Sequence, residues 1–143
     1  MARTAPGKRT EYRAFVELPT RWHDNDAYGH LNNAIYYALF DTALSQWQNA
    51  NGLPIVGPDA YRFVVVENGC RYHSEAAFPD LIHCGLRLAH IGRSSFRYEV
   101  GLFRNDDTIA CAEGFFTQVH TDADNRPSPL PEAARKALET LLP

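Results

Sequence analysis

Two periods of apolar residues divide this chain of 143 residues. From Asn33 onward, Tyr36, Leu39, Phe40, Ala43 and Trp47 recur at steps of three and four, which puts one apolar stripe on a helix. Asn32 or Asn33 can cap its start, and Gly52 suits the left-handed turn past its end. Residues 53–60, with Pro54, Gly57 and Pro58, read as a loop by their breakers. After that the period is two. The run 63–73 (FVVVENGCRYH) is β-branched and aromatic, with Asn68 and Gly69 suggesting a bulge inside it. Ile82, Cys84, Leu86 and Leu88 alternate with His83, Gly85, Arg87 and Ala89, and Phe96, Tyr98, Val100 and Leu102 alternate with their own partners. A third alternating run spans 109–119, and the turns at Gly92 to Ser94 and Asn105 to Asp107 make the three runs an antiparallel meander. Ahead of the helix, residues 11–18 lean toward strand and lead through Pro19 into a polar stretch at 23–33. Residues 1–9 read as a loose tail, and residues 132–143 as a short C-terminal amphipathic helix behind a proline-marked loop.

The elements sum to one strand, one long helix and four strands in a single domain over residues 1–143, an α+β layout with a curved antiparallel sheet against one helix. Ala110, Ala112 and Gly114 on one side of the last strand would let a helix or a bent strand approach closely. One helix covers only one sheet face, so the other calls for a partner, and an oligomer is expected.

Composition changes this picture little. Apolar residues make up 45% and charged residues 22%, the ordinary globular mixture, and the net charge of -3 gives no reason to expect nucleic acid or an acidic membrane as partner. No apolar run approaches the roughly 20 residues that cross a bilayer. The N-terminus MARTAPGKRT has basic residues without an apolar core behind them, unlike a secretory signal. Cys70, Cys84 and Cys111 are odd in number and lack CxxC spacing, which favours reduced thiols and a cytoplasmic setting. The histidines show no ligand spacing, so no metal is expected.

The reactive groups concentrate in RWHDNDAYGHLNNAIYY, residues 21–37, directly before the helix. The first turn of a helix offers unpaired N–H groups and a positive dipole end, which stabilise an oxyanion. A carboxylate beside it can attack a carbonyl or deprotonate water. By the residues alone, a polar turn with Asx caps accounts for the stretch equally well.

The stretch resembles the signature of the 4-hydroxybenzoyl-CoA thioesterase-like branch of the hot-dog superfamily, D-x-D-x-x-G-H-x-N-N-x-x-Y, filled here by Asp24, Asp26, Gly29, His30, Asn32, Asn33 and Tyr36. Downstream, CRYHSEAAFPD resembles the family's strand ending in a proline turn, HIGRSSFRYEVGLF its hairpin, and FFTQVHTDADNRPSPLP its last strand and tail. The resemblance covers about residues 10–131. It implies a hot-dog fold and hydrolysis of an acyl-coenzyme A thioester, with coenzyme A as part of the substrate and no further cofactor. It places Asp26 at the catalytic carboxylate, the Asn33 backbone N–H where the thioester carbonyl is polarised, and His30 and Asn32 where water or substrate is oriented. Gly29 lets the turn approach the substrate, and Arg93, Ser94 and Ser95 fall in the hairpin that lies near the coenzyme A phosphates in relatives. Some relatives carry an aromatic or a histidine where Asn33 stands, so only its backbone role carries over.

Other residues read two ways. Asp24, two positions before Asp26, is a structural cap or a second carboxylate. Glu67 in an apolar run either lines the pocket or meets solvent on the strand's other face. Tyr36 sits on the helix stripe and is core or pocket wall, and Tyr28, Phe40 and Phe63 suit an aryl or a medium acyl chain alike. The expected assembly is a homodimer or homotetramer with the pocket between protomers. Two alternatives remain: a non-catalytic acyl-thioester binder, and a hot-dog dehydratase acting on hydroxyacyl thioesters.

Overall fold

The structure, a computed structural model, describes residues 4–143. Five strands form one antiparallel sheet: β1 (Ala14–Pro19), β2 (Phe63–Tyr72), β3 (Leu81–Ile91), β4 (Ser95–Arg104) and β5 (Ala112–His120). Their order across the sheet is β1-β3-β4-β5-β2, so β1 and β2 are its two edges. The helix α1 (Asn33–Ala50) follows β1 in the chain and fills the concave face, which is the hot-dog arrangement of a sheet curved round one central helix. A second helix, α2 (Glu132–Glu139), is shorter at its C-terminal end than the sequence pattern predicts, and the chain after it returns to β3 through Leu88 N–H to the Leu141 carbonyl.

The stripe on α1 explains why it sits there. Tyr36, Leu39, Phe40, Ala43, Leu44 and Trp47 are buried against Leu86, Leu88, Tyr98, Val100 and Leu102 of the sheet. Burying a side chain such as Phe40 contributes about 1.5–3 kcal/mol. Helix and sheet approach closely where the last strand is small: a Cβ on Gly114 would lie 2.9 Å from the Phe40 ring. The Gln48 amide crosses this core, donating to the Tyr98 hydroxyl at 2.9 Å and to Gln118 Oε1 at 3.5 Å.

Two expectations are corrected. The bulge of β2 lies between Val65 and Glu67, not at Asn68 and Gly69. Gly69 is instead packing space, because a Cβ there would stand 2.6 Å from the Phe115 ring. The N-terminal segment is not a loose tail from residue 7 on, while residues 1–3 lie outside the described residues. Lys8 bridges to Ile109, and Arg9 donates to the carbonyls of Asn105 and Asp107. Tyr12 then lies across Gly85 and Gly101 with its ring edge on Phe103 at 5.6 Å. The segment therefore straps the sheet face opposite α1. Its pairing also takes up Ile109 and Ala110, which is why β5 begins only at Ala112.

Candidate functional site

The loop between β1 and α1 is held from inside by Asp24. Its carboxylate, 3% exposed, accepts from the Arg21 N–H at 2.8 Å and from the Arg21 guanidinium at 2.8 and 3.1 Å. Its carbonyl accepts from the Asn32 N–H at 3.0 Å, so one residue ties the loop's two ends together. Burial works against ionisation of Asp24, but the bonds from Arg21 prevail and hold its carboxyl below the usual carboxylate range. Leu31, buried, fixes the loop to the segment after β2 by donating to the Ala76 carbonyl, and the Asn25 amide oxygen receives the Phe78 N–H.

At the tip the chain turns on itself. The Asp26 N–H reaches the His30 carbonyl at 2.9 Å, and the Gly29 N–H returns to the Asp26 carbonyl with Gly29 at φ +85. That left-handed conformation is why glycine stands there. Asp26 Oδ1 accepts from the Tyr28 N–H at 2.8 Å, while Oδ2 faces His30 Nδ1 at 3.7 Å. The other His30 nitrogen lies 3.6 Å from Glu75 Oε1, and the ring stacks on Tyr28 at 6.0 Å.

Beside this tip begins α1. Asn32 caps it: its side-chain oxygen accepts from the Ala34 N–H at 3.0 Å and its carbonyl from the Ile35 N–H at 2.9 Å. The Asn33 N–H donates to no other group among the described residues. The end of β2 closes the far wall, where the Tyr72 hydroxyl donates to the Asn33 carbonyl at 3.0 Å and packs edge-on against Tyr36 at 4.9 Å. Burial raises the Tyr36 hydroxyl to about 12, with Cys111 adding to the rise, so it remains a donor at neutral pH. These groups enclose a hollow of about 520 Å³.

Of the residues expected at the site, Asp26, His30, Asn32, Asn33 and Tyr36 line this hollow together. Gly29 shapes the turn without forming its wall. Glu67 does not line it; that side chain is 64% exposed and stands 4.0 Å from Arg97. Arg93, Ser94 and Ser95 are at the opposite end of the sheet, since Ser95 pairs with Val119 and Phe63 with His120 while Tyr72 pairs with Ala112. The ten residues of β2 separate the two ends by roughly 30 Å. Within one chain the hairpin and Asp26 do not meet. Tyr28 and Leu31 line the hollow as well, and so do Tyr72, His73, Ser74 and Glu75, which the sequence does not mark as site residues (His73 reads as an ordinary strand-surface histidine) although CRYHSE is legible as a strand end.

A carboxylate whose second oxygen has only the 3.7 Å contact to His30, a free helix-start N–H and a partly enclosed apolar wall suit attack on an acyl carbon with stabilisation of the resulting oxyanion. Known proteins resemble the chain in sequence and in fold. The profile of the thioesterase-like superfamily matches residues 20–138. The crystal structure of the PA5185 protein of Pseudomonas aeruginosa superposes with a TM-score of 0.91 at 42% identity, covering 97% of each chain. The PA2801 protein of the same organism, named as a candidate thioesterase, gives 0.81 at 29% identity over 88% of this chain and 98% of its own. A Thermus thermophilus thioesterase, solved with coenzyme A and zinc, gives 0.75 at 27% identity over 92% of this chain and 95% of its own. No curated protein sequence matches the chain significantly.

Proposed function

The chain belongs to the thioesterase-like superfamily, whose chemistry is thioester hydrolysis, and from that premise we propose that it cleaves an acyl-coenzyme A, with Asp26 attacking the carbonyl carbon or activating the water that does. The observation that carries this reading is the pairing, in one hollow, of the Asp26 carboxylate, whose Oδ2 has only the 3.7 Å contact to His30, with the unengaged Asn33 N–H. In the water route, Asp26 takes a proton as the water oxygen bonds to the acyl carbon. The Asn33 N–H receives the charge that grows on the carbonyl oxygen, and the carbon–sulfur bond then breaks. Such an N–H costs nothing to reorganise, and donors of this kind are worth about 10²–10³ in rate. His30, set between Asp26 and Glu75, orients the carboxylate and its water. The Thermus neighbour that holds coenzyme A supports coenzyme A as the leaving group.

The assembly follows from β2. Its outer edge has no strand beside it among the described residues, and Val64, Val65 and Val66 are exposed along it. An unpaired apolar edge is a template for another strand. Two copies related by a two-fold axis would join β2 to β2 antiparallel. That brings the Tyr72 end of one protomer beside the Phe63 end of the other, where the Arg93 hairpin lies. The phosphate contacts expected of Arg93, Ser94 and Ser95 would then come from the partner.

A panel of acyl-coenzyme A esters tests the activity and finds the acyl group. The Asp26→Asn protein should lose at least about a hundredfold in kcat, the scale of a lost general base, with KM little changed. Retained activity in Asp26→Asn would show the carboxylate to be misassigned. Tight ester binding by the wild type without turnover would make the chain a binder and not an enzyme.

A further inference from the structure

On the sheet face opposite α1, a second hollow of about 470 Å³ lies beside Tyr12, Arg97 and Glu113, and His73 lines both this hollow and the one that holds Asp26. Its position is tightly fixed. The backbone N–H groups of His73 and Ser74 both donate to the Cys111 carbonyl, at 2.8 and 3.0 Å. The preceding residue, Tyr72, is bonded to the first residue of α1. His73 therefore follows directly on the contact that reaches the oxyanion-binding end of the helix.

Behind the ring stands Glu113, itself held on every side. Its Oε2 accepts from the Tyr12 hydroxyl at 2.5 Å, and its Oε1 accepts from the Gly7 N–H at 2.7 Å and lies 3.2 Å from His73 Nε2. The two side chains are 15% and 20% exposed. Arg71, Arg97 and Glu99 line the back hollow with both side chains, and Asp26, His30 and Glu75 line the front hollow with His73. A carboxylate on one imidazole nitrogen fixes the ring and leaves the other nitrogen to act. His30 is differently placed, since it stands 3.7 Å from Asp26 and 3.6 Å from Glu75 and neither carboxylate holds it at hydrogen-bond distance.

Thioester hydrolysis moves protons in two directions, off water and onto sulfur. Asp26 serves the first. We propose that His73 serves the second as proton donor to the departing sulfur, with Glu113 as its positioning residue, an inference that rests on the hydrolytic reading above. The water oxygen bonds to the acyl carbon while its proton passes to Asp26. The carbon–sulfur pair then leaves on sulfur, which takes the proton of the imidazolium and departs as a thiol. The Asp26 proton returns to His73 through solvent, so the cycle closes on free acid and thiol. Where Asp26 itself attacks, neutral His73 takes the proton of the water that clears the acyl-aspartate.

The test varies the leaving thiol. Wild type and His73→Gln are compared on two thioesters of one acyl group, the coenzyme A ester and the ester of an acidic aryl thiol whose thiolate leaves unprotonated. The coenzyme A ester should lose about a hundredfold in kcat for His73→Gln, and the aryl ester less than about threefold, because only the former needs the proton. Glu113→Gln should show the same selective loss at smaller size and with KM unchanged, and it carries the test alone if His73→Gln does not fold. Equal losses on both esters, or none, overturn the donor role while hydrolysis stands. A wild type inert to both esters overturns the hydrolytic reading and this proposal with it.

Discussion

Asp24 and Asp26 stand two residues apart with the same side chain and opposite surroundings. All the acceptor capacity of Asp24 is turned inward to Arg21, whereas Asp26 spends one oxygen on its own turn and keeps the other toward the hollow. The substitution Asp24→Asn should therefore cost stability, about 1–3 kcal/mol for a buried charged acceptor, and leave the kcat of the folded fraction nearly unchanged. Urea unfolding followed by circular dichroism measures it. The sign with pH follows from the lowered folded-state value of Asp24. Its contribution is fully present above the unfolded carboxylate value, about 3.9, and fades as pH falls through the folded one. The gap between wild type and Asp24→Asn should thus be constant near neutrality and close in acid. This half of the hollow was legible because its residues are neighbours in sequence. Tyr72, His73 and Glu75 were not, since a strand end some forty residues away becomes a wall only when β2 docks on α1. Tyr72 reads as one more strand residue until its hydroxyl meets the Asn33 carbonyl.

At the scale of elements, period alone located α1 and the three-stranded meander, because each buries one face against the other. It misjudged one glycine. Asn68-Gly69 carries a turn signal, but Gly69 is small to admit Phe115, and the bulge falls among valines that period cannot distinguish. Gly114 was read from its small neighbours as a site of close approach, and Phe40 occupies that space. A Gly114→Val substitution would push a side chain into the Phe40 ring and the Gly69 carbonyl, both 2.9 Å from the new Cβ. Backbone on one side cannot yield, so an overpacking cost of about 1–3 kcal/mol is expected, seen as a lower urea midpoint with unchanged slope. A neutral result would mean that α1 rides farther from β5 than described. The strap of residues 7–12 was illegible for a different reason. Arg9 falls in what reads as a loose tail, and its role appears only where folding presents the carbonyls of Asn105 and Asp107.

At the scale of the molecule, one chain holds the chemical groups and the candidate phosphate groups at opposite ends of β2, and a two-fold joining of β2 edges is the simplest arrangement that reunites them. Light scattering at micromolar concentration should give at least twice the 16.1 kDa chain mass, and Val66→Lys, which puts a charge on the exposed edge, should lower it. Arg93→Ala should raise KM for a coenzyme A ester and spare the short pantetheine thioester, because a guanidinium pairs with phosphate oxygens that pantetheine lacks. The decisive measurement mixes two defective proteins. Asp26→Asn lacks the carboxylate and Arg93→Ala lacks the phosphate contact. If each site takes Asp26 from one protomer and Arg93 from the other, a mixed dimer has one site with both residues intact and one with neither. Random reassembly then restores about a quarter of the wild-type sites, and the low KM for coenzyme A ester returns in the mixture although neither parent shows it. If both residues belonged to the same protomer's site, mixing would rebuild nothing, and the activity of the mixture would be the average of its parents.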